Sequence, residues 1–281
     1  MGLPLISVIV LTKDSSQTLG SCLKSVRNQS YSNIELIVVD SQSTDDTVNI
    51  AQKYAAKIVN TDWKLLGARY LGFDNSNGEY ILYLDSDQLL YNDTIERSVA
   101  SIGSYDMLCL QEESYEAKSF LQKLIDADRK LVHSFPGLHV DPLRGVMIPR
   151  LYKRTLLDMV FKKIDIDNIH NIVFFDDSII YYEAYSISTK VGVLNRAIIH
   201  IDTSSIFDFC RKSYWYGKTT QQLLQTNMYT KLLKRKARLR KGTSFNLISI
   251  KSIILFLLKN IPFFVGVFVG RVTTVRHQEI K

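Results

Sequence analysis

The chain has 281 residues, 46% of them hydrophobic and 22% charged, with 35 Lys and Arg against 28 Asp and Glu. That length and apolar content exclude a disordered or low-complexity chain and allow one sizeable α/β domain with an appendage. The formal charge of +7 hides two regions of opposite sign: residues 1–208 hold 20 basic and 27 acidic residues, whereas residues 209–278 hold 14 basic residues and no acid.

In chain order, residues 5–11 (LISVIVL) form a short β-branched apolar run that ends in Thr12-Lys13-Asp14. The run lacks a basic leader and a small-residue cleavage site, so it reads as a first strand and not as a signal peptide. Leu19, Cys22, Leu23 and Val26 then recur at helical spacing, and residues 34–39 (IELIVV) run into Asp40. Ser43-Thr44-Asp45-Asp46 is a good helix start, with Val48, Ala51 and Ala55 expected on the inner face of that helix. A third strand-like run, residues 80–84, ends in Asp85-Ser86-Asp87-Gln88. Strands alternating with helices predict a mostly parallel sheet, in which ligands bind beyond the carboxyl ends of the strands. Two carboxylates one residue apart at such an end suit Mg²⁺ or Mn²⁺, although an isolated D-x-D more often just terminates a strand. Three acidic strand ends, at Asp14, Asp40 and Asp85/Asp87, converge on one edge.

Farther on, residues 115–131 have helical spacing, residues 136–144 read as a loop, and residues 146–152 and 193–199 as strands. His200 follows the last of these. Arg211, Lys212 and Lys218 flank a Ser-Tyr-Trp-Tyr-Gly stretch that could meet a phosphate or lie at a membrane interface. Seven Lys and Arg fall in residues 231–241, directly before the apolar residues 247–269. This pairing predicts docking on an anionic membrane surface, and the apolar tract argues against a nucleic-acid partner. Because Lys251, Lys259 and Pro262 interrupt the tract, an in-plane helix followed by a shallow hydrophobic segment is expected. Ser249, Ser252 and Lys259 should then share a polar stripe opposite Ile250, Ile253, Ile254 and Leu257. A core helix packed on the catalytic domain is the alternative. Three widely spaced cysteines, Cys22, Cys109 and Cys210, give no zinc or disulfide pattern and fit a reducing compartment, hence the cytoplasmic face of a membrane, peripheral or monotopic. No G-x-G-x-x-G or Walker-type loop occurs, which removes the usual dinucleotide and P-loop readings.

The blocks SVIVLTKD (7–14), IELIVVDSQSTDDT (34–47), LGARYLGFDNSNGEYILYLDSDQ (66–88) and FFDDSIIYYEA (174–184) together resemble family 2 nucleotide-sugar glycosyltransferases of GT-A fold, in order and spacing over roughly the first 200 residues. With the change of charge at 208/209, this puts a GT-A catalytic domain over residues 1–208 and a basic, apolar membrane-associating region over 209–281. The resemblance implies that Thr12, Asp14 and Asp40 hold the nucleoside, that Arg69 lies close to the donor, and that Asp85 and Asp87 carry the metal and the donor diphosphate. Asp177, with Asp176 in reserve, would be the catalytic base, and His200 matches a histidine that follows the acidic block in many relatives. Leu11 stands where the family commonly has Pro, and Gln88 where the residue after the D-x-D is often acidic. A glutamine oxygen near the metal also occurs in some polyprenyl-phosphate sugar synthases, so a phosphate acceptor stays open beside a glycan or lipid-linked hydroxyl acceptor. A haloacid-dehalogenase-type phosphotransferase and a catalytically silent scaffold of the same fold are the rivals.

Overall fold

The computed structural model describes residues 2–133, 140–143, 147–226, 228–232 and 247–279. The order of elements is β1 (Ile6–Thr12), α1 (Leu19–Arg27), β2 (Ile34–Asp40), α2 (Thr47–Lys53), β3 (Lys57–Asn60), α3 (Leu65–Asp74), β4 (Tyr80–Asp85), β5 (Gln88–Leu90), α4 (Thr94–Ile102), β6 (Met107–Ser114), α5 (Phe120–His133), β7 (Pro149–Lys153), α6 (Arg154–Lys163), α7 (Ile166–Ile169), α8 (Asp176–Ile187), β8 (Val191–His200) and α9 (Ile206–Gln225). A last helix, here α10, covers Leu247–Glu279.

Among the described residues the strands form one eight-stranded sheet in the order β3-β2-β1-β4-β7-β6-β8-β5. Side chains alternate between its two faces, and both faces are buried, which is why the central strands read as unbroken apolar runs. Ile9, Leu11, Ile37, Val39, Ile81 and Tyr83 pack under α3, α6 and α8. Val8, Val10, Leu36, Val38, Leu82 and Leu84 pack under α1, α2 and α4. The parallel registers Thr12↔Asp40 and Leu11↔Asp85 bring three strand ends to one edge. The antiparallel strand β7 enters beside β4 from that same edge, and the β5–β8 pairing sets Gln88 opposite His200.

Several expected boundaries shift for local reasons. The second helix stops at Lys53, and Ala55, expected on its inner face, lies beyond it at φ 50° and exposed. The helix expected from residue 115 starts at Phe120, because Ser119 and Gln122 form a reciprocal capping box: Gln122 N donates to Ser119 Oγ (3.2 Å) and Ser119 N to Gln122 Oε1 (2.9 Å). Residues 136–139 and 144 of the expected loop, and Val146 of the expected strand, lie outside the described residues.

The C-terminal tract is one continuous helix and not a helix followed by a separate segment. Pro262 removes the N–H that would bond the Leu258 carbonyl, and Cys210 Sγ donates to that carbonyl instead (3.5 Å). The helix lies along α9 at a contact that only glycine allows: a Cβ on Gly217 would stand 1.9 Å from Phe263 O, and one on Gly266 2.0 Å from Tyr214 O. Ser252 turns inward and not onto an outer polar stripe, its Oγ being buried. The outer face is apolar and open, with Ile250 51%, Phe264 61% and Phe268 70% exposed. Residues Ile250–Val272 are long and apolar enough, by length and composition, to cross a membrane. The boundary expected at 208/209 falls inside α9, and all of the basic cluster beyond Leu232 lies outside the described residues.

Candidate active site

Two short structures at the ends of β1 and β2 build the first wall. Asp40 is buried and accepts from Thr12 Oγ1 (3.0 Å), Ser43 N (2.9 Å) and Ser43 Oγ (2.6 Å). Asp14 sits at φ 46° and accepts from Thr44 N (2.8 Å), while its own N–H donates to Ser43 Oγ (2.8 Å). Left-handed backbone at a non-glycine residue costs energy, and here the loop's hydrogen bonds hold it in place. Gln42, at φ 59°, is a second such residue in the facing loop.

The second wall is an ionic chain that begins at α8. Phe175, at φ 72°, turns the backbone so that Asp176 and Asp177 open the helix, where the backbone dipole favours carboxylates. Arg69, buried on α3, donates from Nε to Asp176 Oδ2 (2.5 Å) and from Nη2 to Asp85 Oδ1 (3.3 Å). Arg150 on β7 reaches the other oxygen of Asp85, Oδ2, with Nη1 (3.0 Å), and Glu112 Oε1 with Nη2 (3.2 Å). His200 Nδ1 lies 3.1 Å from Glu112 Oε2, and its Nε2 lies 3.3 Å from Asp87 Oδ2. Charges therefore alternate along Asp176, Arg69, Asp85, Arg150, Glu112, His200 and Asp87. Arg129 closes the far end, pairing with Asp202 through both Nη groups (2.7 and 3.0 Å) and approaching His200 Nδ1 (3.2 Å).

The electrostatics follow from burial and neighbours. Burial works against the charge on Asp85, but Arg150 and Arg69 more than offset it and hold this carboxyl well below the usual range. Burial likewise opposes ionisation of Glu112, yet the His200 hydrogen bond and Arg150 bring it down to about 2. For Asp176 burial wins over Arg69, and the carboxyl is pushed up to about 6, helped by the neighbouring Asp177. Burial disfavours the His200 imidazolium, but hydrogen bonds to Asp87 and Glu112 lift it to about 10.

Most of the residues expected from sequence meet here: Thr12, Asp14, Asp40, Arg69, Asp85, Asp87, Asp176, Asp177 and His200. Gln88 is fully buried behind the turn, its oxygen accepting from Asp85 N (3.0 Å) and its amide donating to Glu112 (3.0 Å), so it braces the D-x-D from behind. Lys212 joins the site through its charge, which interacts with Asp87 and Asp85, and its Nζ lies 5.9 Å from the Tyr216 ring. Arg211 does not: it is exposed and pairs with Asp208 (2.8 Å). Lys218 lies farther along α9, its backbone against Gly270. Arg150 and Glu112 were not expected. Each is a charged residue in a strand, and the partners that give it a role lie far away in sequence.

Residues 7–180, more than half of the chain, match the family model of glycosyl transferase family 2. The chain belongs to that family. It is 33% identical over 114 residues to a PGL/p-HBAD biosynthesis glycosyltransferase of Mycobacterium bovis, covering 38% of this chain and 44% of that one. It is 27% identical over 216 residues to an uncharacterised glycosyltransferase of Rickettsia conorii, covering 75% and 67%. The chain spans less than half the length of the first curated relatives it matches. Its fold is similar to that of S. aureus TarS 1-349 in complex with UDP-GlcNAc (TM-score 0.57, 17% identity, 91% of this chain and 81% of that one). It is also similar to the mannosyltransferase PcManGT of Pyrobaculum calidifontis in complex with GDP-Man and Mn²⁺ (TM-score 0.56, 15% identity, 97% and 75%). The fold is the GT-A fold and the family is glycosyl transferase family 2, as the sequence blocks implied.

Proposed function

We propose that the protein is an inverting, metal-dependent glycosyltransferase that moves a sugar from a nucleoside-diphosphate donor to an acceptor carried by a membrane, in the first instance a hydroxyl of a lipid-linked glycan. The observation that carries this reading is Arg69, which ties the D-x-D carboxylate Asp85 to Asp176 at the head of α8 and so fixes the donor side of the site against the acceptor side.

In this reading Asp40, Thr12 and the Asp14 turn hold the nucleoside. Among the described residues no three His, Cys, Asp or Glu side chains converge as a metal cage, so protein ligands alone would not enclose a cation. The residues present nonetheless fit Mg²⁺ or Mn²⁺, ions that commonly take one or two carboxylates and complete their shell with phosphate oxygens and water. Asp87 is the fitting anchor, because among the described residues it is ion-paired through Oδ2 with His200, whereas both oxygens of Asp85 lie on guanidinium groups. When bound, the ion supplies charge neutralisation for the departing diphosphate. Lys212 adds a positive charge from α9. Asp177, less buried than Asp176, takes the proton of the acceptor hydroxyl as it attacks the anomeric carbon. Asp176 stays bonded to Arg69 and orients the pair.

Apolar α10 and the acid-free charge of residues 209–278 support docking on the cytoplasmic face of an anionic membrane. Salt screens the basic residues but not the burial of Phe264 and Phe268. Full-length protein should therefore sediment with anionic liposomes at low salt and only partly detach at high salt; a chain that stays in the supernatant at low salt contradicts the docking. The donor is tested by thermal shift against a panel of nucleotide sugars with and without Mn²⁺. One nucleotide family should stabilise the protein in a Mn²⁺-dependent way, and no stabilisation by any of them contradicts the donor site.

A further inference from the structure

Arg150 stands at the centre of the ionic chain. Its guanidinium is buried, with its side chain 11% exposed, and it bridges Asp85 and Glu112, one carboxylate to each Nη group. Asp85 belongs to the D-x-D, and Glu112 orients His200 beside Asp87. Without Arg150, these two carboxylates would keep Arg69, Gln88 and His200 as direct partners among the described residues, with Lys212 and Arg129 acting on them only through their charge. Four acids, Asp85, Asp87, Asp176 and Asp177, already crowd this edge, and a diphosphate brings further negative charge. The charge of Arg150 also acts on Asp177, so it lies within electrostatic reach of both ends of the site.

We propose that Arg150 is a positioning residue of the donor site, which matches the charge of Asp85 and Glu112 and holds both carboxylates off a bound cation, so that Asp87 faces the cation and an anionic diphosphate can enter. The proposal rests on the donor-site reading above. Its consequence is a split between two ligands. Removing the guanidinium leaves a more negative pocket, which favours a bare cation and disfavours an anion; a general loss of structure would weaken both.

The test uses full-length protein, with Mn²⁺ binding read from the electron paramagnetic resonance of free Mn²⁺ and with calorimetric titration of UDP and GDP in the presence of Mn²⁺. In Arg150→Met, Mn²⁺ alone should bind as tightly as in the native protein or up to about threefold tighter, while the better nucleoside diphosphate should bind about tenfold more weakly. Arg150→Lys keeps a positive charge between the two carboxylates, and should recover most of the nucleotide affinity. If Arg150→Met does not fold, Arg150→Gln is expected to show the same split. Native nucleotide affinity in the neutral variants, parallel loss of Mn²⁺ and nucleotide, or Arg150→Lys behaving like Arg150→Met overturns the proposal. Failure of the native protein to bind either nucleotide with Mn²⁺ overturns the donor-site reading as well, and so separates the two.

Discussion

Asp177→Asn should retain donor binding and lose about 10² to 10⁴-fold in turnover, the range that general-base assistance supplies. The expectation follows from the geometry of the acidic pair. Asp176 is buried and its Oδ2 is bonded to Arg69 at 2.5 Å, which commits this carboxyl to the ion pair. Asp177 is half-buried at the start of the same helix, where it accepts from the neighbouring Ser178 hydroxyl (3.1 Å), and its partial exposure lets it meet an acceptor. Substitution by Asn keeps the shape and removes the proton-accepting charge. The rate must be measured with a saturating donor, so that a change in donor affinity does not enter. A phosphate acceptor is already ionised at neutral pH and needs no base. Near-native turnover of Asp177→Asn with the true acceptor would therefore reject the hydroxyl mechanism and favour a polyprenyl-phosphate sugar synthase.

Asp87→Ala should have the largest effect of any single change in the site. We expect a loss of about 10³-fold or more in turnover, which corresponds to roughly 4 kcal/mol of transition-state stabilisation. The Mn²⁺-dependent part of nucleotide binding should disappear with it. Stability should change little, because the side chain is partly exposed in the turn after β4 and its partner His200 keeps Glu112. Asp85→Ala should behave differently. It leaves the buried Arg69 and Arg150 without their shared carboxylate, and because Asp85 is one third exposed and each arginine keeps a second acid, Asp176 or Glu112, the loss of stability should stay below the roughly 3–5 kcal/mol of a fully buried pair while exceeding that of Asp87→Ala. Thermal melts of the two variants, measured beside their activities, separate the two roles. An Asp87→Ala protein that is fully active in the presence of a chelator would contradict the metal assignment.

The sheet was legible where physics leaves a one-dimensional trace. Strands β1, β2 and β4 are buried on both faces, so each appears as a continuous apolar run that stops at a polar residue, and Leu19, Cys22, Leu23 and Val26 are all buried on α1 as their spacing implies. Strands β3 and β5 were not legible, being four and three residues long and lying at the two edges of the sheet. The convergence of Asp14, Asp40, Asp85 and Asp176 on one edge was legible because each terminates such a run or belongs to a recognisable block. Arg150 and Glu112 were not, because their meaning lies in the antiparallel entry of β7 and the parallel pairing of β6 with β8, which bring residues 38 apart into contact. Gln88 misled for a related reason: its oxygen has the right chemistry for a metal, but β5 turns it inward, where the Asp85 amide takes it. For α10, composition identified an apolar tract, and the three glycines at its contact with α9 decided that it continues through Pro262 as a single helix lying on the protein.

Transfer of a sugar at this site to a membrane-borne acceptor, as proposed, is tested most directly by incubating full-length protein with Mn²⁺, radiolabelled nucleotide sugar of the family identified by thermal shift, and a lipid extract. Label should move into the organic phase with one nucleoside diphosphate released per sugar, and Asp87→Ala should abolish both. Release of nucleoside diphosphate with the label recovered only as free sugar, or label transfer that persists in Asp87→Ala, would contradict it.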